Sequence, residues 1–307
     1  MTLLYILAGI LLLVLAVSFV CFRMAFYSRP RKPGKPTRSV LGDDFLAPYR
    51  EKMKKWMEET AKLPCREFTV RSFDGLTLYG RYYEHIPGAP IELMFHGYRG
   101  SADRDLCGAA QRCFALGRNA LIVHQRACGK SDGRVITFGV KERKDCLTWI
   151  ELLCKEFPGN PIILTGISMG ASTVLMAAGE QLPENVIGVL ADCGYSSARA
   201  IIQKVIADMK LPPKLAYPFV QLGARIFGGF RLDECPAVEA VKRTKVPVLL
   251  VHGEADDFVP CDMSRENYAA CASRKCLVTF PGAGHGLSYL TSPEAYLQAL
   301  RDFDYNA

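Results

Sequence analysis

The chain has 307 residues, about half of them hydrophobic and 22% charged, with a formal net charge of +7. That composition excludes a disordered or fibrous chain and allows one large domain with a substantial core. The excess charge is local. Arg23, Arg29, Arg31, Lys32, Lys35 and Arg38 precede the first acid, Asp43, which leaves about +1 over residues 39–307 and excludes a nucleic-acid-binding surface as the reason for the charge.

Taken in chain order, Met1 to Phe22 carries no charge. A run of that length is enough for a hydrocarbon core, which needs roughly 20 apolar residues. It is long for a signal-peptide core and lacks the basic start of one. The reading is an uncleaved single-pass anchor over 1–22, with a cleaved signal as the alternative. The basic residues after it keep their side of the membrane cytoplasmic, which places the large domain in the cytosol. The twelve cysteines show neither framework nor zinc-site spacing and read as free thiols in a reducing compartment.

Residues 29–40 are rich in proline and basic residues and read as an extended linker, part of a connecting region over 23–64. Phe45, Tyr49, Met53, Trp56 and Met57 then share one helical face, which predicts a helix docked on the domain or lying on the membrane. From residue 65 the pattern changes. Glu67–Phe73 and Leu76–Glu84 read as strands joined at Asp74-Gly75, a hairpin signal. Apolar runs at Ile91–Phe95, Ala120–His124, Pro161–Thr165, Val186–Ala191, Val246–Val251 and Cys276–Phe280 alternate with helical stretches such as Lys141–Phe157, Met169–Ala178, Asp262–Cys271 and Pro293–Phe303. That alternation predicts an α/β fold with a mostly parallel sheet and helices on both faces, its ligands at the carboxyl ends of the strands.

Gly166-Ile167-Ser168-Met169-Gly170 reads G-x-S-x-G where a strand gives way to a helix. Such a turn pushes a serine hydroxyl up at the strand end, and its glycines allow the tight backbone. A serine needs a base to become a nucleophile. Of the five histidines only His252 and His285 follow Ser168. His252 sits at the end of an apolar strand, and an acid must lie between the serine and the base. His285, in the glycine loop after the last strand, is the candidate base. The candidate acid is Asp256, with Asp257 and Asp192 as alternatives. The oxyanion would be held by the backbone N–H groups of Met169 and Tyr98, and His96 is read as support for the Tyr98 loop.

With these residues in place, the chain resembles the α/β-hydrolase superfamily over roughly 65–305. HGYRG, GISMG, HGEADDFVP and GAGHG stand in that family's order, and HQRACGKSDG resembles its D-x-R-G-x-G-x-S turn. More narrowly, it is similar to membrane-anchored bacterial hydrolases of the serine aminopeptidase and BEM46-like group. The resemblance implies an α/β-hydrolase domain over 65–307 and acyl transfer through Ser168, Asp256 and His285, with no metal or organic cofactor. It also implies a small helical lid near 196–235, whose apolar residues, Met209 to Phe230, either line an acyl pocket or pack the lid onto the domain. His124 and Gln125 depart from the acid that usually opens the fourth-strand turn. The expected substrate is a small ester or other acyl compound of apolar or lipid-like character. A peptidase or acyltransferase with the same residues, and a non-catalytic binding protein on the same frame, are the rival readings. A halide-displacing relative would need Asp in place of Ser168.

Overall fold

In a computed structural model describing residues 1–28, 45–303 and 305, the alternating runs form one eight-stranded sheet. The expected linker over 29–40 lies outside the described residues. The chain opens with helix α1 (Thr2–Ala25) and, past the undescribed stretch, α2 (Arg50–Lys62). Strands β1 (Arg66–Arg71), β2 (Thr77–Tyr83) and β3 (Ile91–Phe95) follow, then short helices α3 (Ala102–Asp105) and α4 (Ala109–Ala115) and strand β4 (Asn119–His124). Helix α5 (Glu142–Glu156), strand β5 (Ile162–Ile167), helix α6 (Met169–Ala178) and strand β6 (Val186–Asp192) make the centre. Helices α7 (Ala198–Asp208), α8 (Pro213–Phe227) and α9 (Ala237–Ala240) lead to β7 (Val248–Gly253). Helix α10 (Cys261–Ala270), strand β8 (Lys275–Phe280) and helices α11 (Ser288–Thr291) and α12 (Pro293–Asp302) complete the chain.

The strand order is β1-β2-β4-β3-β5-β6-β7-β8. The hairpin β1–β2 is antiparallel, β2 joins β4 antiparallel, and every pair from β4 to β8 is parallel. The parallel strands are unbroken apolar runs because helices cover both their faces. Ile91, Leu93, Leu121, Ile162, Leu164, Val189 and Leu250 are accordingly buried in the main core. Within this interior Glu92 on β3 is fully buried and is met by Arg112 at 2.6 Å, Arg118 at 2.8 Å and the Thr165 hydroxyl at 3.0 Å. A buried carboxylate persists only when so many partners replace its water.

The end of α1 belongs to the domain. Phe22 and Phe26 are buried in the main core, and Tyr27 bridges to Val135. The Ile136 N–H donates to the Phe26 carbonyl at 2.9 Å, and the Ser28 N–H to that of Arg134 at 2.8 Å. Residues 24–28, assigned by sequence to the connecting region, are thus fastened to the sheet side of the molecule. The N-terminal half of α1, from Leu3 to Leu13, is exposed and apolar, whereas Ser18 is buried.

Candidate active site

The site is built at the carboxyl ends of β3, β5, β6, β7 and β8. β5 ends at Ile167, and Ser168 caps α6 with φ 57° and ψ −119°. For a residue with a side chain this is a costly conformation, held by its surroundings. Two contacts show why glycines flank it. A Cβ on Gly166 would lie 2.2 Å from the Gly170 carbonyl carbon, and one on Gly170 would lie 2.1 Å from the Phe95 carbonyl oxygen. The turn lifts the Ser168 hydroxyl, which lies 2.8 Å from His285 Nε2.

His285 comes from the loop after β8, and its Nδ1 lies 2.7 Å from Asp256 Oδ2. Asp256, in the turn after β7, accepts the Phe258 and Val259 N–H groups on Oδ1 at 3.0 and 2.8 Å. Of the three acids considered, Asp256 is therefore the one joined to His285. Asp257 is exposed, and Asp192 accepts the Tyr296 hydroxyl instead, at 3.0 Å. Burial works against the Asp256 charge, but hydrogen bonds from His252 and His285, aided by the Val259 N–H, hold its pKa down to about 2. It is a carboxylate at any ordinary pH.

His252, set aside by sequence as the base, is fully buried beneath the acid. Its Nε2 lies 2.8 Å from the Val259 carbonyl and 3.2 Å from Asp256 Oδ2, and its Nδ1 lies 2.7 Å from Ser264 Oγ. A carbonyl only accepts, so Nε2 carries the proton and Nδ1 accepts from Ser264. His252 thus gives Asp256 a second donor. Its signal in the sequence is its spacing of four residues from Asp256, which marks a pair only once the turn is known.

Tyr98 lies in the loop after β3. A Cβ on the preceding Gly97 would lie 3.5 Å from Ser168 Cβ, so this loop runs directly over the Ser168 turn. Asp105 at the end of α3 pins it by accepting the Gly97 N–H at 3.1 Å. His96 is buried: its Nδ1 approaches the Gly97 carbonyl at 2.9 Å and its Nε2 accepts the Gln125 N–H at 3.2 Å. The supporting role expected of it is what these contacts give. The Tyr98 side chain turns away from the site and donates to the Ala25 carbonyl at 2.6 Å. Burial pushes its phenol up to about 12, so it remains a donor. Met169 is buried at the start of α6, next to Ser168.

Against family models, residues 93–299 match the alpha/beta hydrolase family, a span that contains the Ser168, Asp256 and His285 loops. The chain belongs to the alpha/beta hydrolase family. It is 26% identical to the uncharacterized protein YqkD of Bacillus subtilis over 61% of this chain and 62% of that one. It is also 26% identical to the bem46 protein of Schizosaccharomyces pombe, over 70% of this chain and 67% of the other. Among solved structures it is similar to the Pyrococcus furiosus esterase Pf2001, with a TM-score of 0.67, 21% identity and coverage of 90% and 96% of the two chains. That likeness shows the fold.

In this hydrolase the departures at His124 and Gln125 are absorbed by the turn they open. His124 Nδ1 accepts the Lys130 N–H at 2.9 Å, and burial lowers its pKa to about 4, so it stays neutral. The buried Arg126 that follows is clamped by Asp145 at 2.6 Å and by Asp74 at 2.9 Å. These contacts hold the turn in place.

A pocket opens beside Ser168 and His285. Phe45, Leu46, Met53, Leu106, Phe258 and Leu290 give it apolar walls, while Thr165, Asp192, Arg112 and Tyr296 make a polar floor. Burial raises the Asp192 pKa to about 6 against the pull of the Tyr296 hydroxyl. The wall comes from α2 and the residues before it. Met53 packs against Leu287 and Leu290, and the Trp56 ring stacks on Tyr289 at 5.1 Å. The docked reading of that helix holds, with the addition that it covers the site. None of the apolar residues of the expected lid lines the pocket. Tyr217, Val220 and Phe230 pack into the domain, and Phe227 packs on α1.

Cys193 Sγ, Asp256 and His285 offer ligand-type atoms within 4.8 Å of one another. Both nitrogens of His285 and both oxygens of Asp256 already have hydrogen-bond partners, and burial pushes the Cys193 thiol well up. That donor set suits a proton relay better than a cation.

Proposed function

We propose that this chain is a serine hydrolase that cleaves carboxylic esters or related acyl bonds through an acyl-enzyme on Ser168. The observation that carries the reading is the unbroken hydrogen-bond chain from Asp256 through His285 to Ser168 at the strained turn. In the first half-reaction His285 Nε2 takes the hydroxyl proton as Ser168 Oγ bonds to the carbonyl carbon. The Tyr98 and Met169 N–H groups receive the charge on the carbonyl oxygen. His285 returns the proton to the leaving group, and the acyl–Ser168 ester remains. In the second, His285 takes a proton from water, the hydroxide attacks the acyl carbon, and Ser168 leaves with that proton. Asp256 holds His285 in the tautomer that presents Nε2 to the serine and stabilises the imidazolium.

The apolar walls supplied by Phe45, Leu46, Met53 and Leu290 favour an acyl group of apolar character. The esterase named among similar folds accords with cleavage of an ester. Helix α1 is 24 residues long, about 36 Å at the helical rise, and is read as a membrane span with the domain on the cytoplasmic side. The burial of Phe22 and Phe26 in the domain core favours an anchor retained in the mature protein over a cleaved signal.

The test is labelling of the full-length protein in detergent with a fluorescent fluorophosphonate, followed by p-nitrophenyl ester kinetics. The wild type is expected to label and to show an acyl-enzyme burst, and Ser168→Ala to lose both. Ester turnover that survives in Ser168→Ala would overturn the scheme.

A further inference from the structure

The lid runs beside α1 in step with it. A Cβ on Gly223 would lie 2.4 Å from the Ser18 carbonyl oxygen, so the two backbones touch there. The Phe227 ring lies 5.1 Å from Phe19 and 6.0 Å from Phe22, and Phe230 lies 5.2 Å from Phe26. Partners on both helices advance together, so α8 and α1 point the same way. Leu215 lies roughly two turns before Gly223, which carries it about 12 Å further toward the N-terminal end of α1. That is the direction in which α1 is exposed, apolar and uncharged.

The residues carried there have a matching composition. Met209, Leu211 and Leu215 are 50%, 48% and 69% exposed, although each is apolar. Lys210 and Lys214 stand between them, also exposed. From Met209 to Leu232 the chain has no acid, while it has Lys210, Lys214, Arg225 and Arg231. Pro212 and Pro213 stop the α7 helix from running on and make the segment a blunt tip. Exposed apolar side chains interleaved with lysines are what the boundary between acyl chains and anionic headgroups accommodates.

We propose that the lid tip, Met209 to Leu215, is a second membrane contact, its apolar side chains entering an anionic bilayer beside α1 and its lysines held by lipid phosphates. The proposal rests on reading α1 as a membrane span. On this arrangement the lid's place is against the bilayer, which accounts for its absence from the pocket wall.

The experiment uses the full chain reconstituted into vesicles containing phosphatidylglycerol, with and without bromine on the lipid acyl chains. Leu215→Trp and Leu211→Trp place a reporter indole at the tip, and Leu12→Trp places one within α1. Emission is read as the difference from wild type, which already contains Trp56 and Trp149. Both tip variants are expected to lose emission in brominated vesicles, as Leu12→Trp does. Quenching of Leu12→Trp with neither tip variant affected overturns the lid contact and leaves the anchor standing. Failure to quench Leu12→Trp overturns the anchor and the lid contact together. Equal tip quenching in purely zwitterionic vesicles overturns the role given to Lys210 and Lys214.

Discussion

Two helical covers sit near the carboxyl ends of the strands, and they differ in what they touch. Helix α2 presses Met53 onto Leu287 and Leu290 and forms a wall of the pocket beside Ser168. Helix α8 lies along α1, with Gly223 against Ser18 and Phe227 against Phe19 and Phe22, and contributes nothing to that wall. One amphipathic helix therefore walls the pocket beside Ser168, while another couples the domain to its N-terminal helix. Position in the chain would have assigned the roles the other way, since the insertion after β6 is where a lid is expected. The packing partner decides: α2 meets loops that carry His285, and α8 meets a long apolar helix.

This contrast can be tested at its centre, beneath α2 and at each cover. At the centre, Asp256→Asn keeps the size of the acid but removes the charge that fixes His285, and kcat is expected to fall on the order of 10,000-fold. Steady-state ester kinetics measure it, and a loss of less than tenfold would move the orienting role elsewhere. Beneath α2, Asp192 has a pKa raised to about 6 by burial. An acid raised in the fold contributes stability that is full below its unfolded pKa, near 4, and lost as pH rises through about 6. Asp256, held at about 2, contributes the opposite: stability present above about 4 and lost only as pH falls toward 2. Asp192→Asn should therefore stabilise the protein at pH 7 by about 3 kcal/mol and flatten the dependence of Tm on pH between 4 and 6. Thermal unfolding across that range gives the answer, and an unchanged slope would count against a charged, strained Asp192.

The covers themselves give a paired prediction. Met53→Ala should lower kcat/KM for long-chain relative to short-chain p-nitrophenyl esters roughly tenfold, because one apolar wall is removed. Phe227→Ala should leave that chain-length profile as in wild type and lower stability by about 1 kcal/mol through the lost ring contacts with α1. Kinetics and thermal shift on the two variants, run side by side in detergent, separate the roles. The reverse pattern would mean that the insertion after β6 is the substrate cover after all.

Much of the frame was legible because its signals are local. Buried parallel strands read as plain apolar runs, as at Ile91–Phe95, and the Asp74-Gly75 hairpin carries its own turn residues. Gly166 and Gly170 flank a serine where strand meets helix, and few histidines follow it, so Ser168 and His285 could be reached from sequence. The acid was harder. Asp256, Asp257 and Asp192 differ only in where their loops point, and the turn after β7 brings Asp256 to His285. What stayed hidden depends on contacts between distant segments. An amphipathic pattern shows that α2 has a face, but not that Leu290 lies opposite it. His252 beneath Asp256, and Asp105 beneath Gly97, are likewise pairings made by turns. The short α3 and α4 carry too few residues to show a periodicity, and the step-by-step match of α8 with α1 joins residues some two hundred positions apart.

The bond from Tyr98 to the Ala25 carbonyl ties the loop over Ser168 to the end of α1. Arg99 reinforces it by donating to the Met24 and Tyr27 carbonyls at 2.7 and 3.0 Å. A domain hung on a loose strand tumbles under its attachment and samples every attitude. Here the residues that follow the apolar helix are bolted to the loop over Ser168, so the whole body turns only when that helix turns. On the proposed reading of α1 as a membrane span, rotation is reduced to spin about that helix, and the mouth of the site keeps a constant height above the bilayer.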